Sequence, residues 1–330
     1  MSAIELADRR AAWLAERRKH ITGTDLGAIL GVSRYRSPID VWLDKTGRAE
    51  PDGDSLAKRR GRHLERANLA WYAEDEGVAI EYADPHELIV APGCPLIAAT
   101  LDARRACADD RRPVEAKSVA VPGSEWGEAG SDRVPDAYLL QVTAQMLATS
   151  EQVADVTALM RGRERLTYTI ALDRDLADMM QERAARWWRD HVERDVPPPI
   201  DGSESCARWL ASRRQTRDDL IRVERADLPI ERLAEARRLI AHAEQMELEA
   251  RNLIIDAIGE GAGVEGDWGR ITYRKTKDST RVDHDSLEAE LADALIARGV
   301  SQVEIDRIVA RHTARREGAR RFVVALKGDE

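Results

Sequence analysis

The chain has 330 residues, of which 43% are hydrophobic and 34% charged, which excludes a disordered protein and predicts one large core with a second, smaller domain. A formal net charge of −9 does not exclude a nucleic-acid partner, because acidic metal ligands lower the total while local basic clusters contact phosphates. No segment carries the roughly 18 consecutive apolar residues of a membrane span, and the three cysteines form no C-x-x-C pair, so we expect a cytoplasmic protein without a membrane partner.

Helical signals come first along the chain. A first helix is predicted over about 5–19. In the following segment, ITGTDLGAILG, Thr24 or Asp25 is well placed to cap a short helix that ends at Gly31. Pro38 then lies near the first position of a third helix, where proline is favoured.

A fourth helix, 55–76, is expected to end at Gly77, because glycine readily takes the left-handed conformation that closes a helix. Beyond it, short apolar runs divided by Pro and Gly indicate strands. A helix from Pro135 to about 149 interrupts them, and another helix reaches toward residue 196. The strands are predicted at about 79–82, 87–91, 96–103, 113–119, 153–161 and 165–171.

The run Pro197-Pro198-Pro199 cannot continue a helix and predicts a boundary between domains 1–196 and 197–330. After it we expect a long, charge-rich helix over about 228–258, a hairpin in GDWGRITYRK and a further pair of helices. A closing strand is predicted in ARRFVVAL. We interpret this part as a helical accessory region with a few strands, which supports assembly or binds a partner.

Carboxylates suited to a divalent cation lie on two neighbouring predicted strands. Asp102 sits near the end of the strand LIAATLDA, and Glu115 lies on the strand PVEAKSV. Because strand side chains alternate, Glu115 and Lys117 share one face, while the carbonyl of Ala116 offers a further oxygen ligand. Carboxylates holding a hard cation, with Lys117 to orient or help deprotonate a water, predict phosphodiester hydrolysis. Taken alone, E-x-K is also typical of an exposed cross-strand ion pair.

The surrounding elements favour the nuclease interpretation. A helix with Glu65 precedes the strands, and a helix with Gln141 follows them, which is the order found in PD-(D/E)XK nucleases. Over roughly 13–160 the chain resembles the YqaJ-like viral recombinases, relatives of the lambda exonuclease. The motifs that carry the resemblance are ITGTDLGAILGVSRYRSPIDVWLDKTG, GRHLE, LDA with VEAKS, and VPDAYLLQVTAQMLATS.

The resemblance implies an α/β fold with a central mixed sheet flanked by helices, and a two-metal site for Mg²⁺ or Mn²⁺. It implies 5′ to 3′ digestion of linear double-stranded DNA, with the resulting single strand passed to an annealing protein during phage-type recombination. Relatives assemble as ring-like trimers, so a homo-oligomer is a further expectation. The compartment implied is the cytoplasm of a bacterial cell or a phage-infected host.

Individual residues take roles from the same resemblance. Glu65 corresponds to a helical carboxylate that reaches the metal directly or through water. Arg17 and Thr24 resemble a pair that grips a terminal 5′-phosphate, with Arg18 as the alternative to Arg17. Gln141 resembles the glutamine of a Q-x-x-Y element that orients DNA or the lysine. The tyrosine position of that element holds Ala144, which puts any contact by a tyrosine hydroxyl in doubt.

Two other functions fit part of the pattern. A restriction-type or repair endonuclease would use the same fold and metal site on DNA without free ends. A non-catalytic DNA-binding scaffold would keep the fold without turnover, although the presence of Asp102, Glu115 and Lys117 argues against it. Trp126, in the loop before Pro135, could stack on bases or pack within the protein.

Overall fold

The computed structural model describes residues 3–49, 53, 55–212, 220, 227–275 and 284–312. The chain divides into two compact units, Met1–Arg214 and Gln215–Glu330. The first unit extends past the boundary expected after residue 196, because the segment beyond the prolines packs back on it. Cys206 is buried in its core, and the Trp209 ring lies edge-on to Trp42 with centroids 5.8 Å apart.

The described part of the first unit opens with four helices, α1 (Ala3–Arg17), α2 (Gly23–Ile29), α3 (Pro38–Lys45) and α4 (Leu56–Glu76). The cap of α2 is Thr22 and not Thr24 or Asp25, because the Asp25 carboxylate reaches back to the Thr22 backbone as its capping-box partner. Pro38 opens α3, and Gly77 closes α4 with a φ of 63°, both as expected.

Among the described residues, seven strands, two helices and a further short helix complete this unit. In chain order they are β1 (Ile80–Tyr82), β2 (Ile89–Val90), β3 (Ala98–Ala99), β4 (Ala103–Arg105), β5 (Pro113–Val119), α5 (Asp136–Thr149), β6 (Val153–Met160), β7 (Glu164–Ala171), α6 (Arg174–Trp187) and α7 (Glu204–Ala211). A π-helical segment, Trp188–Glu193, extends α6.

The central sheet has the strand order β1-β4-β5-β6-β7. Strands β5 and β6 run parallel, with Glu115 opposite Val156, and the other neighbours run antiparallel. Parallel neighbours need a crossover, and α5 supplies it. Helices α4 and α5 both pack on β5 and β6. The mixed sheet flanked by helices therefore confirms the α/β class.

The strand expected over 96–103 is instead two short strands in different sheets. β3 pairs with β2, and Ala98 N–H donates to the Ile21 carbonyl at 3.1 Å. β4 then joins β1 in the central sheet. The chain changes partners between them, so Asp102 lies in the break and not within a strand.

The second unit contains α8 (Asp227–Ile258), a hairpin of β8 (Gly263–Gly266) and β9 (Gly269–Thr272), and helices α9 (His284–Ile296) and α10 (Gln302–His312). The expected long helix, hairpin and helical pair are all present. The expected closing strand, 319–326, lies outside the described residues. Over the part of the chain that the structure describes, no helix combines the length and the apolar character needed to cross a membrane.

Candidate active site

Asp102 is held at the centre of the site by the neighbouring strand. Its Oδ2 accepts a 2.8 Å hydrogen bond from the Ala116 backbone N–H on β5, and its own carbonyl accepts from Ala83 N–H at 3.0 Å. The break between β3 and β4 thus places this side chain beside the Glu-x-Lys strand, as the sequence predicts. Ala116 itself packs on the small core cluster that includes Ala103 and Val114.

Glu115, Lys117 and Gln141 form a closed hydrogen-bonded triangle. Lys117 Nζ donates to Glu115 Oε1 at 2.5 Å and to Gln141 Oε1 at 2.8 Å. Gln141 Nε2 donates to the same Glu115 oxygen at 2.7 Å. The alternation of β5 puts Glu115 and Lys117 on one face, and α5 brings Gln141 to them. All three predicted residues therefore meet at one point.

Two polar residues that the sequence analysis missed support this triangle. Gln145, one helical turn after Gln141, donates from Nε2 to Glu115 Oε2 at 2.5 Å. Asn68, one turn after Glu65, donates from Nδ2 to the carbonyls of Thr157 at 2.9 Å and Lys117 at 3.3 Å. The spacing of three or four residues from a predicted site residue is the signal that could have identified them.

Charge clustering shifts the pKa values of these groups. Burial is the largest cause that raises the pKa of Asp102 well above its usual range, and repulsion from Glu115 and Glu65 adds to it. Burial and repulsion from Glu115 also raise the pKa of Glu65. For Lys117, burial acts to lower the pKa, but attraction to Glu115 and Asp102 outweighs it and the pKa rises. The carboxyl groups of Asp102, Glu115 and Glu65 and the Lys117 ammonium therefore interact electrostatically with one another.

These oxygen ligands suit a hard divalent cation, since Mg²⁺ and Mn²⁺ bind carboxylates and a cation relieves the repulsion among Asp102, Glu115 and Glu65. Within the described residues, however, no three His, Cys, Asp or Glu side chains stand close enough to form a ligand set by themselves. Asp102 and Glu65 line the same cleft, and Glu115 acts electrostatically on both. Water and the Ala116 carbonyl would have to complete the coordination, as is usual for Mg²⁺.

A cleft of about 710 Å³ connects Asp102 and Glu65 with the predicted phosphate-binding residues. Arg17 lines it from α1 and Thr24 from α2, and the guanidinium lies 3.5 Å from the Thr24 hydroxyl. Arg18, the alternative to Arg17, is not among the residues that line the cleft, and its Nε lies 3.9 Å from Asp44. The structure therefore brings Arg17, Thr24 and Asp102 to one cavity.

Buried ion pairs stabilise the end of the cleft that Arg17 lines. Asp25 is fully buried, accepts from Lys45 Nζ at 2.7 Å and pairs with Arg36, while Arg17 lies 3.8 Å away. Burial alone would raise the pKa of Asp25, but the three cations outweigh it and hold the pKa far below its usual range. Burial lowers the pKa of Lys45, and attraction to Asp25 offsets this only in part. Asp25 is thus a structural anchor beneath Arg17.

The remaining expectations concern aromatic and small residues near the site. Trp126 is half-buried and packs against Tyr138 and Tyr168, with ring centroids 5.6 and 5.2 Å away. Tyr138 also faces Lys117, whose Nζ lies 4.7 Å from the ring centroid. Ala144, at the tyrosine position of the Q-x-x-Y element, is fully buried in the apolar core.

The similarity to known proteins covers the part of the chain that contains these site residues. Residues 12–152 match the family model described as YqaJ-like viral recombinase domain. The uncharacterized protein YqaJ of Bacillus subtilis (strain 168) is 27% identical over 208 residues, which cover 62% of this chain. This chain spans only 63% of the length of that relative.

Solved structures with a similar arrangement include two exonucleases. LHK-Exo, an alkaline exonuclease from Laribacter hongkongensis, is 15% identical, with a TM-score of 0.42, and the match covers 56% of this chain and 97% of that one. A phage-related exonuclease from Haemophilus somnus 129PT is 12% identical, with a TM-score of 0.41 and coverage of 54% and 96%.

Proposed function

We propose that residues 12–152, which form a YqaJ-like viral recombinase domain, hydrolyse phosphodiester bonds of linear double-stranded DNA from its 5′ ends. The observation that carries the proposal is the triangle of Glu115, Lys117 and Gln141. Gln141 and Asp102 line the cleft that Arg17 also lines. Two carboxylates can hold a cation at the scissile phosphate, with an ammonium donor beside it. The separate guanidinium can bind a terminal phosphate.

The carboxylates of Asp102 and Glu115 would hold Mg²⁺, with Mn²⁺ as a substitute, and Glu65 would contact it directly or through water. The Ala116 carbonyl is a further ligand in this proposal. When bound, the cation supplies a nucleophilic water at neutral pH and neutralises charge on the phosphate. The Ala116 N–H keeps Asp102 fixed through the 2.8 Å hydrogen bond to Oδ2, so that its other oxygen remains for the cation.

Lys117 orients the reacting groups in this proposal. An ammonium has three N–H donors, and Glu115 and Gln141 accept from it at 2.5 and 2.8 Å. A remaining donor is available for the attacking water or for a phosphate oxygen. Gln141 fixes both partners, because its carboxamide donates to Glu115 and accepts from Lys117.

Arg17 and Thr24 would bind the terminal 5′-phosphate and so select the 5′ end. A guanidinium forms charge-assisted hydrogen bonds with phosphate, and hydroxyl groups at a helix start add further donors. The ion pairs of Asp25 with Lys45 and Arg36 leave Arg17 3.8 Å from that carboxylate and open to the cleft. Binding of the terminal 5′-phosphate in the same cleft as Asp102 would set the direction as 5′ to 3′.

The role in the cell follows as part of the same proposal. Resection from a 5′ end leaves a 3′ single strand, which a single-strand annealing protein would take in phage-type recombination. The accessory region would bind that partner or support a ring-like homo-oligomer around DNA, which would account for processive digestion.

One experiment tests the activity, the end requirement and the direction together. The purified chain is incubated with linear duplex labelled at either the 5′ or the 3′ end, with Mg²⁺ or with chelator. We expect Mg²⁺-dependent early release of the 5′ label as mononucleotide and no cleavage of a closed circle. Cleavage of the closed circle would instead indicate an endonuclease. No loss of linear DNA, with Lys117→Ala equal to wild type, would indicate a DNA-binding scaffold.

A further inference from the structure

Gln145 is a buried polar side chain of α5, and the proposed function above gives it no role in cation binding. Only 1% of its surface is exposed, although it contributes to the wall of the cleft that holds Asp102. Its Nε2 donates to Glu115 Oε2 at 2.5 Å and to the Thr100 carbonyl at 3.2 Å. The amide group thus bridges the metal-binding carboxylate on β5 and the segment that leads into Asp102.

The other end of the same amide has no partner. Gln145 Oε1 is buried and accepts no hydrogen bond from any described residue. Rotating the amide does not help, because its oxygen would then face the carboxylate of Glu115, which only accepts when ionised. Burying an unpaired acceptor costs stability, so a carboxamide at this position does not stabilise the fold through its oxygen.

We propose that Gln145 is a positioning residue for the cation site, an inference that rests on the proposed function. Its Nε2 fixes Glu115 Oε2 while Gln141 and Lys117 fix Oε1, so both oxygens of the carboxylate are oriented. Its Oε1 accepts a hydrogen bond from a water that ligates the cation. Groups that orient ligands in this way raise metal affinity without touching the metal.

The position of Gln145 on α5 supports this role. Gln141 and Gln145 are one helical turn apart and both reach Glu115, whereas Ala144 between them points into the core. The Q-x-x-Y element therefore has alanine in place of tyrosine at Ala144, and the residue after it, Gln145, brings a second carboxamide to the site. Thr100, which precedes Asp102 by two residues, is tied to the same amide.

The test is the affinity for Mn²⁺ in the absence of DNA, measured by calorimetry on the full chain. Gln145→Met keeps the length of the side chain and removes both polar atoms, and we expect Mn²⁺ to bind about 10- to 100-fold more weakly. Gln145→Asn keeps the carboxamide but withdraws it from Glu115, so a loss of affinity is expected here as well. Thermal unfolding with chelator present establishes that each variant is folded.

A matched control is Gln181→Met on α6. The Gln181 Nε2 donates to the Ala177 carbonyl at 3.3 Å, within its own helix. It should bind Mn²⁺ as wild type does. Wild-type affinity in Gln145→Met or Gln145→Asn, with affinity lost in Glu115→Gln, would overturn the role of Gln145 alone. Wild-type affinity in Glu115→Gln would instead overturn the cation site, and with it the proposed function.

Discussion

Gln141 Nε2 donates a 2.7 Å hydrogen bond to Glu115 Oε1 and thereby joins helix α5 to strand β5 at the base of the cleft. The crossover between the parallel strands β5 and β6 runs through this helix, so the topology of the sheet and the geometry of the site depend on each other. Lys117 closes the triangle from the strand side. Small displacements of α5 should therefore change activity more than they change the fold.

Removal of the Lys117 ammonium is expected to reduce hydrolysis of linear duplex by about 10²–10³-fold, the usual cost of losing one transition-state donor. Single-turnover rates at saturating Mg²⁺ measure the effect on Lys117→Ala. Lys275→Ala, an exposed lysine of the second unit, is the control and should react at the wild-type rate. Equal rates for both variants would rule out a catalytic Lys117.

Arg17→Ala should abolish the preference for 5′-phosphorylated over 5′-hydroxyl ends. A charge-assisted hydrogen bond contributes about 1.5–3 kcal/mol, so KM for phosphorylated duplex should rise by roughly 10- to 100-fold while kcat changes little. Arg18→Ala is the neighbouring control, because Arg18 is not among the cleft-lining residues. A loss of preference in Arg18→Ala and not in Arg17→Ala would reverse the assignment.

Local patterns in the sequence predicted most of the elements around the site. The bounds of β5 agree at both ends, because proline starts the strand and the apolar alternation continues through it. The break at Asp102 was not predictable from 96–103, since the segment is mostly apolar and a change of main-chain partner leaves no mark on composition. The helical cap was placed two or three residues late for a similar reason, as Thr22 and Thr24 are equally good caps by type.

Tertiary contacts decided the residues that the sequence left open. Gln145 lies among apolar neighbours, and only the approach of α5 to β5 gives it Glu115 as a partner. Trp126 was equally compatible with stacking on DNA and with packing, and the structure shows it packed against the rings of Tyr138 and Tyr168. The sequence does not indicate that Lys45 pairs with Asp25, because the two residues lie on different helices and their spacing is not that of neighbours on one helix.

Asp25→Asn should lower the free energy of unfolding at pH 7 by about 3–5 kcal/mol, because Lys45 and Arg36 lose their buried counter-charge. The folded-state pKa of Asp25 lies below the unfolded value of about 3.9. Its contribution is therefore complete above about pH 4 and is lost as the pH falls toward the folded-state pKa.

Denaturant unfolding of the wild type and Asp25→Asn across pH 2.5–7 measures this dependence. The difference in stability between the two should shrink as the pH falls below about 4. Asp195→Asn, which breaks the exposed pair with Arg48, is the control and should change stability little. A difference that stays constant with pH would contradict the assignment.

Tyr72→Phe should destabilise the first unit by about 1–3 kcal/mol without changing the affinity of the proposed cation site. The Tyr72 hydroxyl donates to buried Asp155 at 2.5 Å and accepts from half-buried Arg105 Nε at 2.8 Å, so its removal leaves both partners short of a hydrogen bond. Thermal unfolding measures the loss. Tyr82→Phe on the exposed side of β1 should leave the unfolding temperature unchanged, and an equal effect of both substitutions would refute the argument.

Gly23 and Gly27 give a matched pair on α2 for testing whether the contact with α5 is needed for activity. A Cβ at Gly23 would lie 2.4 Å from the Gln141 Cα, so Gly23→Ala must push the two helices apart and move the Gln141 carboxamide away from Glu115. We expect a loss of about 1–3 kcal/mol in the free energy of unfolding and at least a 10-fold lower rate of DNA hydrolysis.

A Cβ at Gly27 would meet its first neighbour, the Cβ of Ala137, at 3.7 Å, an ordinary contact. Gly27→Ala should therefore keep the wild-type rate and gain up to about 1 kcal/mol, because alanine is the better residue within a helix. Unfolding and single-turnover measurements on both variants decide the matter. If Gly23→Ala unfolds more easily yet hydrolyses DNA at the wild-type rate, the approach of α2 to α5 serves the fold alone, and Gln141 does not depend on it.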